Sequence, residues 1–309
     1  MRPPVAVQRD TRSSWISPDV KRTAHLLFVS DSGTGDVYIF SLPDLVLKGT
    51  ITGFSEPQGM CSGNGGTVWV ANTGSDQVFQ LSRSGKILAT INDAYGYPVG
   101  CAVDPANGDV AVFNIFGFYG AGTVYVYSCP SCTPTELTIP NVGGYNFGGY
   151  DPKGDLFVNA GSNSTGLALL GEVPAGKTTG FLITVSGGKV DFAGFVQWYK
   201  PRNNLVVGDQ LCDDTPAACI YQIKISGSNG RIVARTKLRS PSGGAICDMV
   251  QGVLDPTGEK NVLGSDYEYC GYRPTATYRW GFPSGGVPTT SYDFSDPYSI
   301  PDGAAVSAK

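Results

Sequence analysis

Pro57-Gln58-Gly59-Met60-Cys61, Thr67-Val68-Trp69-Val70-Ala71-Asn72, Gln77-Val78-Phe79-Gln80-Leu81 and Ile87-Leu88-Ala89-Thr90-Ile91 follow one another along a single stretch of chain. β-Branched, aromatic and other apolar residues fill the second and third runs. Gly, Asn, Asp and Ser cluster between the runs. Four short strands joined by tight turns produce this pattern. No sustained 3.6-residue period competes with it.

The second run recurs along the chain. Leu26-Leu27-Phe28-Val29-Ser30-Asp31 precedes it, and Asp109-Val110-Ala111-Val112-Phe113-Asn114 follows. Then come Asp155-Leu156-Phe157-Val158-Asn159-Ala160, Asn204-Leu205-Val206-Val207-Gly208-Asp209 and Asn261-Val262-Leu263-Gly264-Ser265-Asp266. From Leu27 the steps to Val68, Val110, Leu156, Leu205 and Val262 are 41, 42, 46, 49 and 57 residues. A period in the forties with strand-type alternation predicts an all-β, six-bladed β-propeller of four-stranded antiparallel blades. Inner strands are expected at Pro98–Asp104, Phe147–Asp151, Gly194–Trp198 and Gln251–Asp255. The first unit, Leu26 to Thr52, has room for only three strands. The closing segment Ile300-Pro301-Asp302-Gly303-Ala304-Ala305-Val306 is an inner strand with no blade after it. It is therefore expected to complete the first blade and close the ring, leaving no free sheet edge there. On this reading residues 1–23, with Trp15 and Pro18, form an N-terminal tail packed on or extending from the propeller, and 24–309 form one domain.

Composition agrees with many turns and few charges. The 309 residues include 42 Gly and 21 Pro, and charged residues make up 16%, below the quarter or so usual for globular chains. Net charge is −4, and no Lys/Arg run exists to track a phosphate backbone, so nucleic acid is not expected as a partner. No apolar run approaches the roughly 20 residues of a membrane span. Met1 to Asp10 lacks the apolar core of a signal peptide, so export would require a signal removed ahead of it.

The order Pro-x-Gly, strand, then Asp/Asn-Thr-Gly resembles NHL-type propellers and the wider six-bladed group, which includes lactonase-like and lyase-like enzymes. It is carried here by Pro57-Gln58-Gly59 with Asn72-Thr73-Gly74, by Pro98-Val99-Gly100, and by Asp31-Ser32-Gly33. The resemblance spans about residues 24–309. It implies architecture and not one chemistry, because a single fold hosts many. The metal-dependent lyases of that group rely on several histidines, and this chain has only His25. Lactonase-like relatives rely mainly on carboxylate and Asn ligands, and that activity stays open, with no motif of theirs mapped residue by residue onto this chain.

Eight cysteines are present. Cys212 and Cys219 bracket a short loop, and a bridge there is worth about 2.5 kcal/mol in the chain-entropy model. Cys129 and Cys132 share a hairpin turn. With no histidine nearby, a disulfide is favoured over zinc. Cys61 and Cys101 fall on adjacent expected inner strands, and Cys247 pairs with Cys270 by elimination. Four bridges imply secretion or a cell-surface location, in a bacterial envelope or an extracellular matrix.

Loops entering the inner strands and loops between second and third strands share one face. On this chain that set is long and aromatic. It holds Tyr95, Tyr97, Phe116, Phe118, Tyr119, Tyr145, Phe147, Tyr267, Tyr269, Tyr272 and Tyr298, with Gln58 near the channel mouth. Such insertions often mark a binding side, although the same rings could simply pack on one another. The strand-end residues Asp31, Asn72, Asn114, Asp209 and Asp266 are expected to bond the turns that follow them. Asp31, Asp209 and Asp266, with Asp302, are also the candidates for acid/base work or for holding Ca²⁺. No other cofactor is implied. With one histidine, no Gly-x-Ser-x-Gly elbow and no phosphate loop between strand and helix, triads and nucleotide sites are not expected. The first expectation is a secreted, non-enzymatic binding or scaffold module for a glycan, peptide or protein surface. The alternatives are a carboxylate-based, Ca²⁺-assisted hydrolase or lyase and a self-assembling extracellular subunit.

Overall fold

The structure is a computed structural model that describes residues 13–94, 96–117, 120–162, 164–165, 167–212, 217–266 and 275–309. The chain begins with β1 (Trp15–Ile16), β2 (His25–Asp31), β3 (Asp36–Ser41) and β4 (Val46–Thr52). Next come β5 (Pro57–Ser62), β6 (Val68–Asn72), β7 (Gln77–Leu81) and β8 (Ile87–Asn92). The third group is β9 (Gly96–Val103), β10 (Val110–Gly117), the short β11 (Gly120–Ala121), β12 (Val124–Tyr127) and β13 (Thr135–Leu137). Then follow β14 (Val142–Tyr150), β15 (Leu156–Ser162), β16 (Ala168–Val173) and β17 (Phe181–Ser186), and β18 (Ala193–Tyr199), β19 (Asn204–Asp209), β20 (Cys219–Ser226) and β21 (Asn229–Lys237). The last are β22 (Gly252–Leu254), β23 (Asn261–Asp266), β24 (Ala276–Gly281), β25 (Thr290–Asp293) and β26 (Pro301–Ala308).

The C-terminal strand β26 pairs antiparallel with β2, placing Val306 opposite Leu27 and Ala304 opposite Val29. It thereby becomes the inner strand of the first sheet, whose order is β1-β4-β3-β2-β26. The described part of the N-terminal segment packs on this first sheet. Trp15–Ile16 adds to the outer edge of β4, and a 3₁₀ turn at Pro18–Lys21 buries Val20 completely. The sheet β5-β6-β7-β8 and the sheet β22-β23-β24-β25 are four-stranded, and β9, β10, β12 and β13 pair in sequence. One sheet has eight strands, in the order β14-β15-β16-β17-β21-β20-β19-β18. Its halves meet at a parallel pairing of Thr184–Ser186 with Asn229–Arg231. Isolated parallel bridges at Thr138↔Thr179 and Leu238↔Gly286 make the same kind of outer-edge contact in shorter form.

Along their inner edges, β26 touches β5, β5 touches β9, β9 touches β14, β14 touches β18, β18 touches β22, and β22 returns to β26. This closed order is a propeller arrangement. Its glycines follow from that geometry. A Cβ on Gly100 would lie 2.8 Å from the Asn146 carbonyl oxygen, and one on Gly149 would lie 2.6 Å from that of Val196. Gly59 and Gly303 are pressed still closer against Val99 and Gln58. The Pro-x-Gly signature thus marks where neighbouring inner strands pass too near for a side chain.

Second strands are apolar on both faces because both faces are buried. Leu26 and Phe28 pack with Met60, Val68 and Val70 of the next sheet. Leu27 and Val29, pointing the other way, pack with Leu263 and Phe294. Trp69 likewise joins Val110 and Val112, and Phe113 joins Leu156 and Val158. The remaining seams are Phe157 with Leu205 and Val207, and Val206 and Ile220 with Val262 and Trp280. Gln251 crosses the inner edge. Its Oε1 accepts from the N–H of Met60 (2.8 Å) and of Ala304 (3.0 Å), and its Nε2 donates to the Met60 carbonyl (2.6 Å).

Cys61–Cys101, Cys129–Cys132 and Cys212–Cys219 are disulfides, with Cα separations of 5.5, 5.1 and 5.6 Å. Such bonds persist in oxidising compartments. The expected Cys247–Cys270 pair includes Cys270, which lies outside the described residues. Among the described residues no helix is long and apolar enough to cross a membrane.

Candidate functional site

The repeated Asp/Asn at the ends of the second strands has a common structural task. Asp31 Oδ1 accepts the N–H groups of Gly33 (3.1 Å) and Thr34 (3.0 Å) in the following turn, and of Ile300 (2.8 Å) just before β26. Its Oδ2 accepts the Ser299 hydroxyl. Asn72 Oδ1 accepts from Ser55 N–H (2.7 Å) before β5, and Asn114 donates to Asp93 (2.9 Å) before β9. Asp209 accepts from Asp191, Phe192 and Leu211 N–H groups, each at 3.0 Å, before and after its strand. Asp266 accepts from Asp248 N–H (3.3 Å) in the segment leading to β22. Each side chain latches the entry of its own sheet's inner strand. The turn that follows is only part of the task. Asn159 reaches instead to the Gly194 carbonyl on the neighbouring β18 (3.1 Å).

Asp209 stands apart from the other expected carboxylates. The charge acting on it is that of Asp191, and burial is the main cause of its upward shift, opposed by its three N–H donors. Asp302 has Asp31 and Asp248 as charged neighbours, and Asp248, which sequence reasoning did not single out, has Asp266. Asp302 is the middle residue of Pro301-Asp302-Gly303. Burial, with Asp31 and Asp248 as neighbours, pushes its carboxyl up to about 8, and Ser32 opposes the shift. Burial, and then Asp266, pushes Asp248 up to about 7. Asp248 is 8% exposed, and its Oδ1 is buried with no hydrogen-bond partner. Asp302 is half-buried. The two are coupled across the seam between β22 and β26, at the end of the inner strands where the aromatic loops were expected. Among the described residues no group of three or more His, Cys, Asp or Glu is arranged to hold a metal ion.

The expected aromatic face is only partly described. Tyr145 is 3% exposed, sits in the apolar seam between β10 and β15, and accepts the Ile139 N–H at 2.9 Å. Phe147 is buried as well. Tyr97 is half-buried and donates its hydroxyl to Glu56 Oε2 (3.2 Å). These three rings are held by packing or hydrogen bonds, and Tyr298, at 70% exposure, faces solvent. Tyr95, Phe118, Tyr119, Tyr267, Tyr269 and Tyr272 lie outside the described residues, as does the Phe116 side chain. Gln58 is half-buried, and its backbone carbonyl accepts the Ser30 hydroxyl. His25 is the first residue of β2, opposite Ala308.

No model of a known protein family matches the sequence, and neither does any curated protein. Solved structures do resemble the fold. A protein of unknown function from Bacteroides caccae superposes with a TM-score of 0.63 at 15% identity, over 93% of this chain and 100% of its own. Kuenenia stuttgartiensis hydrazine synthase gives 0.60 at 13% identity, over 90% of this chain and 80% of its own. A streptogramin B lyase gives 0.52 at 16% identity, over 90% of this chain and 76% of its own. Identities this low carry the architecture and not the chemistry, and the architecture is that of a β-propeller.

Proposed function

We propose that this chain is an exported, six-bladed propeller of the NHL-like group that works as a binding module, and that its ligand sits where Asp248 and Asp302 meet. Six blades follow if the eight-stranded sheet is divided at its parallel β17–β21 junction. That junction then equals the outer-edge bridges at Thr138↔Thr179 and Leu238↔Gly286, lengthened by two residues. The three disulfides support export.

The observation carrying the site is the contrast between two sets of acids. Asp31 and Asp209 spend their oxygens on backbone N–H groups, whereas Asp248 keeps a buried oxygen with no partner beside a second carboxyl. Buried polar groups left in that state are costly, and a ligand can relieve the cost. A thermal-shift panel of oligosaccharides, peptides, polyamines and CaCl₂ with an EDTA control tests this on the wild type and Asp302→Asn. A shift that Asp302→Asn removes supports the location. A shift of equal size in both proteins places the ligand elsewhere.

A second reading is favoured by the same pair. Carboxyls held at about 7 and about 8 are poised for proton transfer near neutrality. Turnover of chromogenic lactones, esters or glycosides by the wild type and not by Asp248→Asn would make the protein an enzyme of the hydrolase or lyase type.

A further inference from the structure

Resting on that binding reading, we propose that Asp248 and Asp302 form a subsite for an organic cation, a guanidinium or primary ammonium group held between the two carboxylates. Neither acid has a role in the repeat. The positions equivalent to Asp302 in Pro57-Gln58-Gly59 and Pro98-Val99-Gly100 are Gln58 and Val99, so the fold does not require a carboxylate there. Asp248 belongs to the segment before β22, and its backbone N–H already anchors that segment to Asp266. Its side chain is therefore free of that duty, and its Oδ1 is buried without a donor.

Among the described residues the groups acting on the pair from outside it are Asp31, Asp266 and Ser32. Among the described residues no lysine or arginine acts on either acid. Asp31 already accepts three N–H groups on Oδ1 and a hydroxyl on Oδ2, so it adds negative potential with most of its acceptor capacity spent. A metal ion fits poorly. Ca²⁺ asks for about six to eight oxygens, and no metal-holding cluster exists among the described residues. An alkylammonium or guanidinium needs fewer acceptors. It brings donors of its own, and one of them satisfies Asp248 Oδ1. Burial first, and then the neighbouring carboxyls, now favour a proton on each acid, and the guest's charge relieves the repulsive part. The cation thus replaces protons, and its binding is linked to pH.

Isothermal titration calorimetry with agmatine and putrescine tests this, with CaCl₂ and an uncharged diol of similar length as controls. Saturable binding of either amine is expected at pH 9, about tenfold or more weaker at pH 6, where both carboxyls hold protons. It should weaken with added salt and vanish in Asp248→Asn and in Asp302→Asn, with far-UV circular dichroism unchanged. The pH profile of the wild type stands by itself if either variant misfolds. Absence of amine binding at pH 9, binding indifferent to pH, or preference for Ca²⁺ would overturn the cation assignment. An oligosaccharide shift lost in Asp302→Asn, with no amine binding, would overturn it while leaving the binding module in place.

Discussion

Gly59 faces the Val99 carbonyl of the neighbouring inner strand with no room for a methyl group. Gly59→Ala must push two inner strands apart, and by analogy with overpacked cores should destabilise by about 1–3 kcal/mol. A chemical-denaturation midpoint measures this. Gly65, which has nothing within 4 Å of its added Cβ, has φ +66° and is a backbone control in an open turn. The glycine was legible in the sequence as a repeated Pro-x-Gly. Its neighbour across the seam was not, because a one-dimensional period does not state which face of an extended strand meets which chain. The same holds for the strand-end acids. Asp31 and Asp209 look alike in the repeat, yet Asp31 lies beside Asp302 whereas Asp209 answers only to Asp191.

At the scale of strands and the loops that feed them, the seam between β22 and β26 should respond to pH. Asp302 and Asp248 have folded-state pKa values near 8 and near 7, above the usual value of 3.8. The folded state therefore binds more protons than the unfolded chain between about pH 4 and pH 8, and stability falls as pH rises through that window. Asp31 and Asp209 are shifted in the same direction. Melting temperatures measured from pH 5 to pH 9 should decline, and Asp302→Asn should flatten the decline. A profile that rises over this range would contradict the seam as described. The disulfide between β5 and β9 is a second device at this scale. It closes 40 residues, so Cys61→Ala with Cys101→Ala should cost about 4 kcal/mol in the chain-entropy model. Loss of Cys129–Cys132, closing only 3, should cost about half of that in the same unfolding experiment.

Over the whole molecule, closure depends on a strand supplied from the far end of the chain. Removing residues 301–309 exposes the β2 edge, opens the seams lined by Leu27, Val29, Ala304 and Ala305, and deletes the Gln251 partner at Ala304. The truncated chain should lose cooperative unfolding or self-associate through β2, visible by size-exclusion chromatography and calorimetry. A monomer with an unchanged melting transition would show that closure contributes little.

Strand periodicity, turn chemistry and the orphan segment after Ser299 are local properties, and they carried the all-β propeller, the four-stranded repeat, the closing role of β26 and three of the four disulfide pairings. The tertiary structure alone decided the rest. Asp248 sits in a stretch with no repeat pattern, and only the meeting of the segment before β22 with β26 puts it beside Asp302. Tyr145 and Phe147, read as a binding surface, are drawn inward, Tyr145 into the seam between β10 and β15 and Phe147 against Gly59 and Gly100 of the neighbouring inner strands. The parallel β17–β21 pairing joins Thr184–Ser186 to Asn229–Arg231, segments that no local pattern relates. Periodicity reports which residues are apolar and how the chain is cut into strands. Burial, charge coupling and unpartnered oxygens depend on distances between segments far apart in sequence, and those exist only once the ring has closed.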